Sequence, residues 1–198
     1  MKYFFSILIL ILVIGFVVVQ LFALKSQHNI ETHAFTVNEK YDTFEIRTYE
    51  KALFTSVQLP NNGFKDAASN GFSVLAGYIF GGNDKNEKIA MTSPVKMSIQ
   101  DSMTMFFMVP HGFKKETLPL PNDSNIEFKE EAEKTVAAIG FGGWANAKKI
   151  DHYKRELRTA LEAKDIFYSN QFLFLGYNAP YEVFNRKNEI IVELNDEN

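Results

Sequence analysis

The ten residues Lys88–Met97 read KIAMTSPVKM, and a helix-like segment ending in YIFGGN (Tyr78 to Asn83) leads into them. Ile89, Met91, Val95 and Met97 are apolar, with Thr92, Ser93 and Pro94 set between them. Proline has no N–H to give to a ladder. A strand across this stretch therefore has to run at a sheet edge or carry a bulge at Pro94.

Working outward, the chain passes twice through one order of elements. The first half predicts strands near Phe44–Arg47 and Ala52–Leu59, a helix over about Phe64–Phe80, and strands near Ile89–Ile99 and Met103–Val109. A tight turn at Gln100-Asp101-Ser102 joins the last two. The second half predicts strands near Ile126–Glu130 and Thr135–Gly140, a helix over Ala147–Ala163, and strands near Phe172–Tyr177 and Glu189–Leu194. Phe44/Ile46, Val136/Ala138 and Phe172/Phe174 alternate with the period of half-buried strands. The expectation is an α+β domain made of two ββαββ repeats.

The first helix carries two apolar stripes. Phe64, Ala68, Phe72, Leu75 and Ile79 form one; Ala67, Gly71, Val74 and Tyr78 form its neighbour. One stripe suffices to dock a helix on a sheet. The second either seats the helix more deeply or floors a shallow apolar groove for a flat ligand. The second helix has a single stripe, Ile150, Tyr153, Leu157, Ala160 and Leu161, with Asn146 placed as N-cap and Asp151 and Arg155 one turn apart. It reads as structural.

These segments, together with FEIRTYEKALFTS (Phe44–Ser56), the LPLP run Leu118–Pro121 and GYNAPYEVFNRKNEIIVEL (Gly176–Leu194), resemble the SOUL heme-binding protein family in collinear order over roughly residues 41–194. The resemblance implies a distorted antiparallel β-barrel flanked by two long helices. It also implies a tetrapyrrole site bordered by the first helix and the loop before the last strand. On this sequence those elements nominate Ala67, Gly71, Val74, Tyr78, Tyr181, Phe184, Arg186 and Lys187. Arginine suits a propionate because its planar fork binds carboxylate bidentately. Some members carry, between the Arg and Tyr of the first strand, a His proposed as axial ligand; Thr48 stands there in Glu45-Ile46-Arg47-Thr48-Tyr49. Any heme would then lack a strong axial His, since threonine is no competent ligand.

Tyr3–Leu24 holds no charged residue and is dominated by Ile, Leu, Val and Phe. As a helix it is long enough for a hydrocarbon core, so residues 1–25 read as a single-pass anchor, 26–40 as a polar tether and 41–198 as the folded domain. A cleaved signal peptide is the rival, but no small-x-small site closes the apolar run. Lys2 and the terminal amine against Lys25 give only a slight lean towards an extracytoplasmic domain.

Composition narrows the chemistry. The absence of Cys excludes thiol catalysis, thiolate metal sites and disulfides. Net charge is −3 with the signs interleaved, and no basic cluster suits nucleic acid. His28, His33, His111 and His152 do not converge with further ligands into a metal site. Met91, Met97, Met103, Met105 and Met108 crowd one hairpin and read as core packing. GFGG (Gly140–Gly143) lacks the Lys-Ser/Thr of a phosphate loop, and no nucleophile elbow is present. The leading expectation is a membrane-tethered binding module for heme or a related tetrapyrrole. The alternatives are an enzyme acting on tetrapyrroles, for example by removing the metal, and an effector-type module for another small molecule. A carboxylate in the cleft favours a cationic ligand; a cationic rim over an apolar floor favours a porphyrin.

Overall fold

The computed structural model describes residues 2–27, 30–60, 63–100 and 103–195. Its elements run α1 (Lys2–Gln27), β1 (Phe35–Lys40), β2 (Glu45–Tyr49), β3 (Ala52–Leu59), α2 (Phe64–Ile79), β4 (Val95–Ser98) and β5 (Met103–Met108). Then come β6 (Ile126–Glu131), β7 (Lys134–Gly142), α3 (Ala147–Glu162), β8 (Tyr168–Gly176) and β9 (Lys187–Leu194).

All nine strands join one curled antiparallel sheet in the order β1-β2-β7-β9-β8-β4-β5-β3-β6. Apart from β1 the order is a palindrome about the β8–β4 pair, which is the duplication expected from sequence. The first strand of each half is exchanged. β2 pairs with β7, with Arg47 opposite Val136, and β6 pairs with β3, with Phe128 opposite Thr55.

Both shorter helices cover one face of the sheet. α2 packs on β3 and β5, and α3 on β7, β8 and β9. Alternation along the strands decides which side chains they meet. Ala137, Ile139 and Phe141 of β7 join Ile150, Leu157 and Leu161 of α3. Val136 and Ala138 point the other way, to Tyr49, Leu175 and Ile191. Asn146 caps α3 as expected, its Oδ1 accepting from Lys149 N at 2.9 Å. α2 starts after Gly63 with no side-chain cap.

The structure differs from the sequence reading at two places. Residues 89–94 form no strand: regular pairing starts at Val95, and β4 lies in the centre of the sheet between β5 and β8. Pro94, with a cis Ser93–Pro94 bond, stands just before the ladder, so neither an edge nor a bulge is required. The second difference lies in the polar tether, where residues 35–40 form β1 against β2 at the sheet edge. Phe35 and Val37 alternate there with polar residues, a strand pattern too short and too exposed to stand out. His28 and the turn residues Asp101 and Ser102 lie outside the described residues.

The YIFGGN and LPLP segments form one joint. Asn83 is buried; its Nδ2 donates to the carbonyls of Tyr78 (3.1 Å) and Glu87 (2.8 Å), and its Oδ1 accepts from Lys85 N and Glu87 N. Gly82 comes so close to the helix end that a Cβ would lie 2.7 Å from the Gly77 carbonyl oxygen. Leu120 N donates to Asp84 Oδ1 at 2.7 Å, and Tyr78 Oη donates to the Pro119 carbonyl at 2.9 Å. The motif therefore ends α2 and pins the Leu118–Pro121 run across it.

Candidate functional site

On the helical face, between the first turns of α2 and α3, lies a cleft of about 790 Å³. Such a volume is in the range of small-molecule sites. Val95, Met97, Met105, Phe174 and Gly176, from the central strands β4, β5 and β8, make its floor. Phe64, Ala68 and Phe72 of α2 form one wall; Trp144 and Ala145, in the turn before α3, form the other. Pro180, Arg186 and Asn188 close the rim, and Lys65 and Asp66 stand at the mouth. The lining is largely apolar, with its one guanidinium at the edge.

Trp144 is placed by a specific turn. Gly143 has φ of 76°, a left-handed conformation that favours glycine. Asn188 is buried at the start of β9, and its Nδ2 donates to the Gly143 carbonyl at 2.8 Å. Arg186 stacks on the indole, its guanidinium carbon 3.9 Å from the ring centroid. Its Nη1 donates to the carbonyls of Ala179 (3.0 Å) and Glu182 (2.5 Å), and its Nη2 to that of Asn178 (3.4 Å). Its buried Nε has no hydrogen-bond partner among the described residues. Burial lowers the pKa of Arg186, and Glu182 partly opposes that.

Of the eight nominated residues, Arg186 alone lines this cleft. Ala67, Gly71 and Tyr78 are buried against the sheet, and Val74 is half-buried on the same core cluster. Adding a Cβ to Gly71 would bring it 2.7 Å from Leu59 Cδ1 and 3.2 Å from Met105 Cβ, so the small residues of this stripe let α2 sit close on β3 and β5. Phe64, Ala68 and Phe72, on the stripe read as core, rise beside that contact and wall the cleft. Both stripes are apolar; the small side chains of Ala67 and Gly71 were the available signal for which one touches the sheet. Lys187 turns away, 3.1 Å from Glu189 and over the Tyr177 ring. Tyr181 and Phe184 are exposed on the outer side of the rim loop.

Thr48 is also remote from the cleft, bonded to Asn38 (2.9 Å) and Thr135 (3.1 Å). Among the described residues no imidazole lines the cleft. Among the described residues no group of three His, Cys, Asp or Glu is placed to hold a metal ion. The three described imidazoles are occupied locally. His33 bonds the Glu50 carbonyl at 2.7 Å, His111 pairs with Glu31, and His152 lies 3.5 Å from Glu156. Met97 and Met105 bring thioethers to the floor, both packed in the core below it.

The opposite face of the sheet is ionic. Lys96 and Lys134 share the Glu131 carboxylate at 2.5 and 2.6 Å, and Arg47 and Tyr177 share Glu189 at 2.9 and 2.6 Å. Burial and Glu131 act oppositely on Lys96; burial prevails and its pKa falls to about 8. Glu131 falls to about 2 because two ammonium groups overcome its own burial. Both pKa values fall, but the fall disfavours the charged Lys96, desolvated for one carboxylate, and favours the charged Glu131, which gains two cations. The bowl of about 410 Å³ beside this cluster mixes Phe106, Val136, Leu173 and Ile191 with the charged Lys129, Glu131, Glu133, Lys134 and Glu193, so ionised groups share its lining.

A family model described as SOUL heme-binding protein matches residues 30–193, which spans β1 to β9. The chain belongs to the SOUL heme-binding protein family. It is 29% identical to heme-binding protein 1 of Sus scrofa, over 82% of this chain and 92% of that one. Heme-binding protein 2 of Homo sapiens is likewise 29% identical, over 75% and 76%. Among solved structures, the EcmrR C-terminal domain superposes with a TM-score of 0.61, covering 78% of this chain and 98% of that one, at 11% identity. That likeness is one of fold. The SOUL match includes β1, so the family domain starts within the stretch that composition alone assigns to a tether.

Proposed function

We propose that the cleft binds heme or a related tetrapyrrole without chemical change, for transport, buffering or sensing, on a domain tethered to a membrane by α1. The observation that carries this is the apolar floor of Met97, Met105 and Phe174 under a rim where Arg186 is stacked and bonded in place. A tetrapyrrole is a wide apolar plate with anionic propionates at one edge, and the cleft offers that division of surface. Phe64, Phe72 and Trp144 would bracket the plate, and Arg186 would face a propionate. Heme, when bound, supplies an iron that exchanges ligands and electrons; among the described residues none of the cleft's side chains is an imidazole to bind it axially. The names of the pig and human relatives support the same ligand class. A cation at the inner rim favours an anionic ligand over the cationic one of an effector-type module.

For the tether, α1 supplies one apolar helix, Tyr3–Gln20 within it, long and apolar enough to cross a membrane. The test is titration of the full chain in detergent with hemin and with metal-free porphyrin, read by the Soret band and by quenching of Trp144. Both should bind with comparable affinity and quench Trp144. A complex that forms only with the metal, with a spectrum of His ligation, would defeat this reading of the cleft.

A further inference from the structure

The rim loop between β8 and β9 has two unlike sides. Its inner side builds the cleft through Asn178, Pro180 and Arg186. Its outer side shows Tyr181, Val183 and Phe184 to solvent, 58%, 41% and 55% exposed, while Glu182 between them is turned inward at 4%. Three large apolar side chains face outward from one short loop, and the charged residue among them is hidden. That is the reverse of an ordinary solvated loop.

The same side of the loop meets α1. Gln20 Nε2 donates to the Tyr181 carbonyl at 3.0 Å, and Gln20 Oε1 accepts from Val183 N at 3.2 Å. Phe16 stands edge-on to Phe184, ring centroids 6.5 Å apart. An amide in an apolar helix has to be satisfied within the protein if it lies in lipid, and the loop backbone satisfies both ends of this one. Phe16 is one helical turn further into the apolar run than Gln20, about 6 Å along the axis. The loop tip thus lies level with the last turns of the apolar segment, the depth at which aromatic and aliphatic side chains sit in a bilayer interface.

We infer that the loop Pro180–Phe184 is a membrane-contact element. It seats Tyr181, Val183 and Phe184 in the interfacial layer beside α1, so that the cleft opens at the lipid surface and takes an amphiphilic planar ligand from the bilayer. The loop joins the two sites because its inner residues are cleft wall and its outer residues are lipid contact. This inference rests on the proposed tetrapyrrole cleft and on α1 spanning the membrane, and its test separates the three.

The chain has no native cysteine, so single nitroxide labels need no background removal. Val183→Cys and, as an aqueous reference on the exposed side of α3 away from the cleft, Thr159→Cys are labelled in the full-length protein in phosphatidylcholine vesicles. Power saturation with oxygen and with a nickel chelate should show the label at position 183 reached by oxygen and shielded from nickel, and the label at 159 the converse. In a second arm, hemin is supplied either from preloaded vesicles or from aqueous albumin. Val183→Asp with Phe184→Asp should slow uptake from vesicles at least tenfold and leave uptake from albumin within twofold. Equal nickel access at 183 and 159 overturns the membrane contact even if hemin binds. A shielded 183 label with no hemin binding defeats the cleft reading and leaves the contact standing. Release of the whole chain by alkaline carbonate defeats both the anchor and the contact.

Discussion

Arg186 is held flat over Trp144 by three loop carbonyls before any ligand arrives. The ordering entropy of a long side chain is therefore already spent in folding, and stacking keeps the charge at the cleft edge rather than in bulk water. Asn178 contributes twice: its carbonyl accepts from Arg186, and its Oδ1 accepts from Lys187 N at 2.6 Å. The cation is thereby tied to the register of β9.

Removing that cation should separate charge recognition from apolar binding. Arg186→Ala is expected to weaken hemin by roughly 10- to 100-fold, the range of a charge-assisted contact of about 1.5–3 kcal/mol. A propionate-esterified porphyrin should lose much less. Arg186→Lys should recover only part of the hemin affinity, because an ammonium cannot reproduce the three-carbonyl seat. Isothermal titration with both porphyrins checks this, and equal losses for the two would assign Arg186 to loop structure alone.

Three substitutions on α2 distinguish the cleft wall from the core. Leu75→Ala empties a fully buried position and should lower stability by about 2–5 kcal/mol in urea unfolding. Ala68→Asp puts a carboxylate on the half-buried wall and should weaken hemin while costing much less stability. Gly71→Val meets Leu59 and Met105 directly and should destabilise by roughly 1–3 kcal/mol through overpacking.

The Asn83 joint predicts a stability effect without a ligand effect. Asn83→Ala removes the side-chain partner of the Glu87 carbonyl and of the Lys85 and Glu87 amides, and leaves the Tyr78 carbonyl only its bond from Gly81 N. The expected loss is about 2 kcal/mol or more by chemical denaturation, with porphyrin affinity of the folded fraction unchanged.

Acid should act through the ionic face. Glu131 has its pKa held at about 2, below its ordinary 4.5, so in the native state it contributes stability that is complete above pH 4.5 and lost as the pH falls through 2. Glu189 is lowered too: burial alone would raise it, but Arg47 and Tyr177 outweigh that, and its contribution has the same sign. Lys96 works the other way. The unfolded chain binds its proton up to about 10.5 and the folded one only up to about 8, so this group makes stability climb across that window. Glu131→Gln should flatten the melting temperature against pH between 4.5 and 2. At pH 7 it should cost about 3–5 kcal/mol, since Lys96 is left buried without its carboxylate. An unchanged slope would show that the pair is solvated in solution.

Periodicity made the repeats legible, because alternation in strands such as β7 and the single stripe of α3 follow from burial on one side. β3 ran from Ala52 to Leu59 in the sequence and does so in the fold. Residues 89–94 were less transparent. Ile89 and Thr92 are buried there by loop packing, Thr92 Oγ1 donating to the Met108 carbonyl at 2.6 Å, and the pairing is limited to a single bridge from Ser93 to Thr32, so the burial mimics a strand. Arg186 was readable as a rim cation from its chemistry. Trp144 and Phe174 came to the cleft by tertiary placement alone: the turn at Gly143 and the strand order decide it, and neither is local. The choice between the two stripes of α2 turned on side-chain size rather than hydropathy.

The exchange of β2 and β6 between the two repeats has a kinetic consequence. Arg47 has to find Val136, and Thr55 has to find Phe128, before either sheet half has its full set of strands. Neither repeat can serve as an independent folding unit, although each carries its own helix and hairpin. Contacts so distant along the chain carry a high loop-closure cost and slow the search. Folding of the domain should therefore be a single slow phase. In native-state hydrogen exchange, the strands of both repeats should open together at the global free energy, not one repeat before the other.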